Sequence, residues 1–240
     1  MTIQYKTYNL FMHANNKFQR GDFPFEPATG ALAEAYELRI RVTLNAISDS
    51  AIGRTLLSSL SSWVPVYIVP FTAGGCNAIT GQVTSNLTDG VRIFFSPETW
   101  AMDSCGRVPG YRPVETLFHE LVHASRFTRL GFAGLDKSEL KDMQDPEEFL
   151  AVMLTNVYRS EQGAKKFNRD YRTGALVSQV ELESFLALKG PYLRALYDLR
   201  SDDLVRAIAS MKAPFNPWRD YNRLKVIQNP QLMAGPKRYA

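Results

Sequence analysis

Apolar residues recur at three- and four-residue steps through much of this chain, which predicts a largely helical protein. Ala33, Tyr36, Ile40, Leu44 and Ile47 mark one buried stripe. Ser48-Asp49-Ser50 then reads as a break and a cap, and a second helix carries Ile52, Thr55, Leu56 and Leu60. Val114, Leu117, Phe118, Leu121 and Val122 form another stripe, with Pro113 placed for the first turn. A fourth segment opens at Asp145-Pro146-Glu147-Glu148, with Asp145 as N-cap, and runs through Phe149, Val152, Met153 and Val157 to about Ser160. Residues 176–213 read as two or three helices, interrupted at Gly190-Pro191 and near Ser201-Asp202-Asp203 and ended by Pro214-Phe215-Asn216-Pro217-Trp218.

Two segments follow strand chemistry instead. Val64 to Pro70 is β-branched and bounded by prolines, and Gly90 to Pro97 contains Val91, Ile93, Phe94 and Phe95. Residues 72–90 read as a loop or short hairpin, and residues 98–112, 132–144 and 161–175 as connections. The fold class expected is α+β, mostly helical, with a small β-sheet before the helix that starts at Pro113. Residues 1–30 read as an irregular N-terminal arm pinned by Phe11, Phe18, Phe23 and Phe25. A single domain is expected over 31–224, followed by a tail over 225–240.

Composition narrows the possibilities. The 240 residues are 45% hydrophobic and 12% aromatic, enough for a full core. The net charge of +4 is modest and its basic residues are dispersed, which argues against nucleic-acid binding. No apolar run approaches the roughly 20 residues of a membrane span. The N-terminus lacks the pattern of a signal peptide, so the expectation is a protein cytoplasmic in its producer or exported by a dedicated secretion system. Cys76 and Cys105 belong to no C-x-x-C motif; free thiols are the default, with a pair open to an oxidising compartment.

The chemistry concentrates in His119-Glu120-Leu121-Val122-His123, which holds two of the three histidines. A helical step of four residues turns by only about 40°, so His119 and His123 project from one face and can share a metal ion. Glu120 sits on the flank of that face, within reach of a metal-activated water. This is the H-E-x-x-H pattern of zinc peptidases. Catalytic zinc takes three protein ligands, and here no third histidine follows at the usual spacing. His13 is remote and on the arm. Glu147 and Glu148, 24 and 25 residues after His123, are the candidates. Helical spacing favours Glu148, which shares a stripe with Val152, Thr155 and Arg159 beside the small Ala151. The competing reading makes Glu148 the closing residue of a capping box with Asp145. Arg126 is placed to hold a carboxylate such as Glu147, or to favour the helix dipole from the last turn. Asn156 is placed to orient a ligand. Tyr111, Tyr158 and Tyr171 are the candidates for an oxyanion donor. The strand ending at Pro97 is either an edge strand that holds substrate backbone or an interior strand of the core.

The run Leu117 to Arg126, reading L-F-H-E-L-V-H-A-S-R, with Glu147-Glu148-Phe149-Leu150-Ala151-Val152 after it, resembles bacterial effector and toxin zinc metallopeptidases of the NleD type. Phe94-Phe95-Ser96-Pro97 and Thr155 to Glu161 are also similar to that group. Glu148-Phe149-Leu150-Ala151 resembles the E-F-F-A run of the catalytic domain of anthrax lethal factor, whose glutamate completes a zinc site. A tyrosine seven residues before that glutamate has no counterpart, since Lys141 stands there. The likeness covers residues 90–161 best. It implies a zincin-like domain with Zn2+ held by His119, His123 and Glu148, and Glu120 as base. It also implies a protein or peptide substrate, with a secretion apparatus or immunity protein as further partners. A housekeeping metallopeptidase or amidase, and a catalytically silent metal-bearing domain, are the alternatives.

Overall fold

The computed structural model describes residues 2–14, 30–60, 63–71, 78–82, 89–97, 112–130, 146–169, 175–176, 178–198 and 203–228. They form an α+β fold of seven helices and a five-stranded mixed sheet, with a separate two-stranded ribbon. Strands β1 (Thr2–Gln4) and β2 (Leu10–His13) come first, then helices α1 (Ala31–Ser48) and α2 (Ala51–Ser59). Strands β3 (Val66–Val69), β4 (Ile79–Gln82) and β5 (Val91–Phe94) complete the sheet. Helices α3 (Pro113–Leu130) and α4 (Pro146–Glu161) follow, then the ribbon β6 (Phe167–Asn168) and β7 (Ala175–Leu176). Helices α5 (Gln179–Asp198), α6 (Asp203–Ala209) and α7 (Pro217–Gln228) end the described chain.

The sheet order is β1-β2-β3-β5-β4. Strands β2, β3 and β5 run parallel, and β1 and β4 pair antiparallel at the two edges. The crossover from β2 to β3 carries α1 and α2, as a parallel pair requires. Leu10, Met12, Val66, Ile68, Val91 and Ile93 are fully buried on the face that meets the helices. Beneath them lie the stripes expected from the sequence: Tyr36, Ile40, Leu44 and Ile47 of α1, and Leu117, Phe118, Leu121 and Val122 of α3. The Tyr36 hydroxyl donates to the Phe95 carbonyl at 2.8 Å, joining α1 to the end of β5.

Helix α4 is the central one. All twelve residues from Phe149 to Ser160 are buried, polar ones included, so it has no solvent face. Its C-terminal Glu161 accepts from the Ala51 and Ile52 amides at 3.0 and 3.3 Å. The Ser50 hydroxyl accepts from Gly53 N at 2.7 Å, so the sequence-predicted cap is in place and the first turn of α2 is satisfied from both sides.

Four expectations are corrected. Residues 2–14 of the arm expected over 1–30 contribute β1 and β2 to the sheet, and the partner of β2 lies more than fifty residues on; residues 15–29, with Phe18, Phe23 and Phe25, lie outside the described residues. Helix α5 runs unbroken through Gly190-Pro191. A Cβ on Gly190 would fall 2.0 Å from the Tyr221 ring of α7, so glycine there permits the two helices to approach closely. Pro217 starts a helix rather than ending one, because a proline at the first helical position forfeits no hydrogen bond. Asn216, wholly buried, precedes it: its Nδ2 lies 3.0, 3.3 and 3.1 Å from the Ile208, Ala209 and Met211 carbonyls. One side chain therefore closes α6 and positions α7. Finally, residues 161–175, read as a loop, contain β6 and lead into its partner β7, two residues each. Cys76, Cys105, Asp145, Tyr111 and Tyr171 lie outside the described residues.

Candidate metal centre

Helices α3 and α4 pack side by side and run antiparallel. Near one end of the pair, Glu115 of α3 lies 3.1 Å from Arg159 of α4. Toward the other, Arg126 grips Glu147 through two contacts: Nε donates to Oε2 at 2.6 Å and Nη2 to Oε1 at 2.9 Å. Between these ion pairs, the Phe118 and Tyr158 rings stack with centroids 4.4 Å apart. The apolar stripes bring the helices together, and the paired charges limit sliding along their axes, since each buried charge must keep its partner.

That register decides the site. The Nε2 atoms of His119 and His123 lie 3.1 Å apart. Glu148 reaches across from the first turn of α4, with Oε2 3.1 Å from His119 Nε2 and Oε1 3.3 Å from His123 Nε2. Of the two glutamates left open by the sequence, Glu148 joins the histidines and Glu147 binds Arg126. Side-chain exposure is 8% for His123, 13% for His119 and 28% for Glu148, so the cluster is backed by the core and open on the Glu148 side.

A four-coordinate tetrahedral ion with bonds of about 2.0–2.1 Å holds its ligand atoms about 3.3–3.4 Å apart. The separations here, 3.1 to 3.3 Å, lie within a few tenths of an ångström of those edges. The donors also match in kind: two imidazole nitrogens and one carboxylate, converging on a point. In the protein alone a proton must do the joining, because three lone pairs cannot face one another unaided. The charges agree. Burial opposes a charged His123, but the hydrogen bond to Glu148 and the nearby Glu120, Glu148 and Glu147 outweigh it and raise its pKa. Glu148 is pushed the other way: burial alone favours the neutral acid, yet its bonds to both histidines hold it well below the usual carboxylate range. Among the described residues His119, His123 and Glu148 are the group able to hold a metal.

No family model, curated protein or solved structure matches this chain. The reading of the site therefore rests on its own geometry.

Glu120 is buried beside the cluster, and its charge is felt at His123. Thr80 of β4 donates to its Oε2 at 2.6 Å. Nothing in the local sequence announces this contact, since forty residues separate the partners. Of the two readings left open for the strand ending at Pro97, the interior one holds. Strand β5 is paired on both sides, so it is an interior strand, and the edge beside α3 is β4. Residues 79–82 lie in the stretch read as a loop or short hairpin, and their antiparallel pairing with β5 matches the hairpin alternative.

The other singled-out residues take structural partners. Asn156 Nδ2 donates to the Asn168 carbonyl at 2.7 Å, and its Oδ1 accepts from Asn168 N at 3.0 Å and Arg159 Nη1 at 3.2 Å. It fastens β6 to α4. The Tyr158 hydroxyl lies 3.5 Å from the Ala46 carbonyl, and burial raises its pKa, so it stays protonated within the core. His13 ends β2 and is not part of the cluster. Phe127, one turn beyond His123, stacks on that imidazole at 6.1 Å. No described helix is long and apolar enough to cross a membrane.

Proposed function

We propose that this protein is a zinc-dependent metallopeptidase that hydrolyses peptide bonds of a protein substrate. The observation that carries the reading is the convergence of His119, His123 and Glu148 to within 3.3 Å, with an anchored carboxylate, Glu120, beside them. A structural metal site has no use for a further carboxylate held near it without ligating, whereas a hydrolytic site requires a base there.

Zinc, when bound, supplies Lewis acidity that brings the pKa of water toward about 7 and polarises a carbonyl. The chain's own residues do the rest. His119 and His123 present neutral Nε2 lone pairs, and Glu148 contributes a negative charge to the ligand set. Glu120 takes a proton from water at a carboxylate oxygen as the water oxygen bonds to the scissile carbon. It returns that proton to the amide nitrogen as the C–N bond breaks, leaving a carboxylic acid and an amine. Strand β4 is the sheet edge beside Glu120 among the described residues, and there an extended substrate backbone would add by strand pairing.

The likeness of the 117–126 and 147–152 runs to NleD-type peptidases favours an exported effector acting on a protein of another cell. Metal content and activity test the proposal together. Zinc should bind near one per chain in wild type and in Glu120→Ala, and be largely lost in His119→Ala and Glu148→Ala. Cleaved peptides mapped in a target-cell lysate should appear with wild type and vanish with Glu120→Ala. Full zinc retention by Glu148→Ala would remove it from the ligand set, and equal cleavage by Glu120→Ala would remove the base.

A further inference from the structure

The Thr80 hydroxyl has one proton and two acceptors within reach, both on the same residue: Glu120 Oε2 at 2.6 Å and the Glu120 main-chain carbonyl at 3.1 Å. The shorter contact, to the charged oxygen, takes the proton, since hydrogen bonds to carboxylates are the shorter and stronger kind. Register explains the aim. Thr80 pairs with Ile93, so the two side chains share a face of the sheet, and Ile93 is fully buried on the helical side. Ile79 and Gly81 point to the opposite face, consistent with the partial exposure of Ile79.

We infer that Thr80 is the positioning residue of the base: it occupies one carboxylate oxygen of Glu120, fixes the rotamer, and leaves the other oxygen to receive the proton. This rests on the hydrolase reading above. A glutamate has three rotatable side-chain bonds, and an unanchored one beside two histidines and Glu148 has other partners to turn toward. The anchor comes from the edge strand, so the base is held by the same element that borders the path of substrate. A base misplaced by about 1 Å costs on the order of a hundredfold in rate, while metal and substrate contacts made by other residues are untouched.

The experiment compares wild type, Thr80→Val and Thr80→Ser. Valine keeps the β-branched shape and removes the hydroxyl; serine keeps the hydroxyl and removes the methyl. Expected for Thr80→Val is unchanged zinc stoichiometry, KM within about twofold and kcat lower by about 10- to 100-fold. Thr80→Ser should recover kcat to within about threefold of wild type. Equal kcat in wild type and Thr80→Val, or equal loss in both variants, overturns the inference. A second readout needs no turnover: the Glu120 side-chain carboxyl carbon, assigned by carbon-13 NMR through Glu120→Gln, should move in Thr80→Val and stay in Thr80→Ser. An unmoved signal in Thr80→Val overturns the anchor even if the chain hydrolyses nothing. Absence of hydrolysis by wild type with that signal displaced overturns the peptidase reading and leaves the anchor standing.

Discussion

The Arg126–Glu147 pair gives a prediction with a built-in asymmetry. The guanidinium is 3% exposed and the carboxylate 26%. Removing one partner of a buried ion pair costs about 3–5 kcal/mol, because the charge left behind is poorly solvated. Here the two charges are not equally trapped. Arg126→Met leaves a carboxylate that already touches water and can rotate further into it, so the loss should sit below that range, at about 2 kcal/mol. Glu147→Ala takes two charge-assisted bonds from a guanidinium that is almost wholly buried, and the loss should reach about 3–5 kcal/mol. The pair also joins the end of α3 to the first turn of α4, one residue before Glu148. Loosening it should therefore lower zinc affinity by about 10- to 100-fold, as outer partners of metal sites do. Urea denaturation of the metal-free protein measures the first effect, and competition with a chromophoric chelator measures the second. Arg126→Met costing more than Glu147→Ala would refute the argument from exposure. Stability loss with unchanged zinc affinity in both variants would refute the argument that the clamp positions Glu148.

Two further outcomes follow from the same structure. Gly53→Ala should destabilise by about 1–3 kcal/mol in chemical denaturation, although alanine is the better helix former, because the new Cβ would stand 1.8 Å from the Ile47 carbonyl oxygen; unchanged or increased stability would contradict the close approach of α1 and α2. In the metal-free protein, the raised pKa of His123 adds stability that is full below its ordinary 6.5 and fades as pH rises through the folded value. The depressed pKa of Glu148 adds stability that is full above its ordinary 4.5 and fades as pH falls toward the folded value. The cluster should thus contribute most between about pH 4.5 and 6.5. Zinc competes with the His123 proton, so its affinity should climb as pH rises past that window. Denaturation curves from pH 4 to 9 test this, and an identical pH profile in His123→Ala would refute the assignment.

What could be read in advance was whatever depends on neighbours along the chain. Helical spacing placed His119, Glu120 and His123 on one turn, and the prolines at 113 and 146 marked where α3 and α4 begin. Glu148 was recognisable as a ligand candidate because its stripe continues through α4. The same local rules misjudged Gly190-Pro191 and Pro217. Pro217 takes the first helical position, where no amide bond is forfeited, and Gly190 stands where α7 packs closely; Pro191 lies inside α5 without ending it. Strands β1 and β2 escaped notice for a different reason. They span three and four residues, no more than two periods of alternation, and β2 pairs with a strand more than fifty residues on.

The H-E-x-x-H turn, the helix starts and the carboxylate to complete the set are properties of the sequence alone, since backbone geometry turns residue spacing directly into a shared face. Which glutamate meets the histidines was decided by packing: the register of α3 on α4 assigns Glu148 to His119 and His123 and gives Glu147 to Arg126. The anchor on Glu120 belongs to tertiary structure as well, because Thr80 reaches it only after the sheet has brought β4 alongside α3. Contacts of that kind depend on the relative placement of whole elements, and periodicity along a chain carries no information about it.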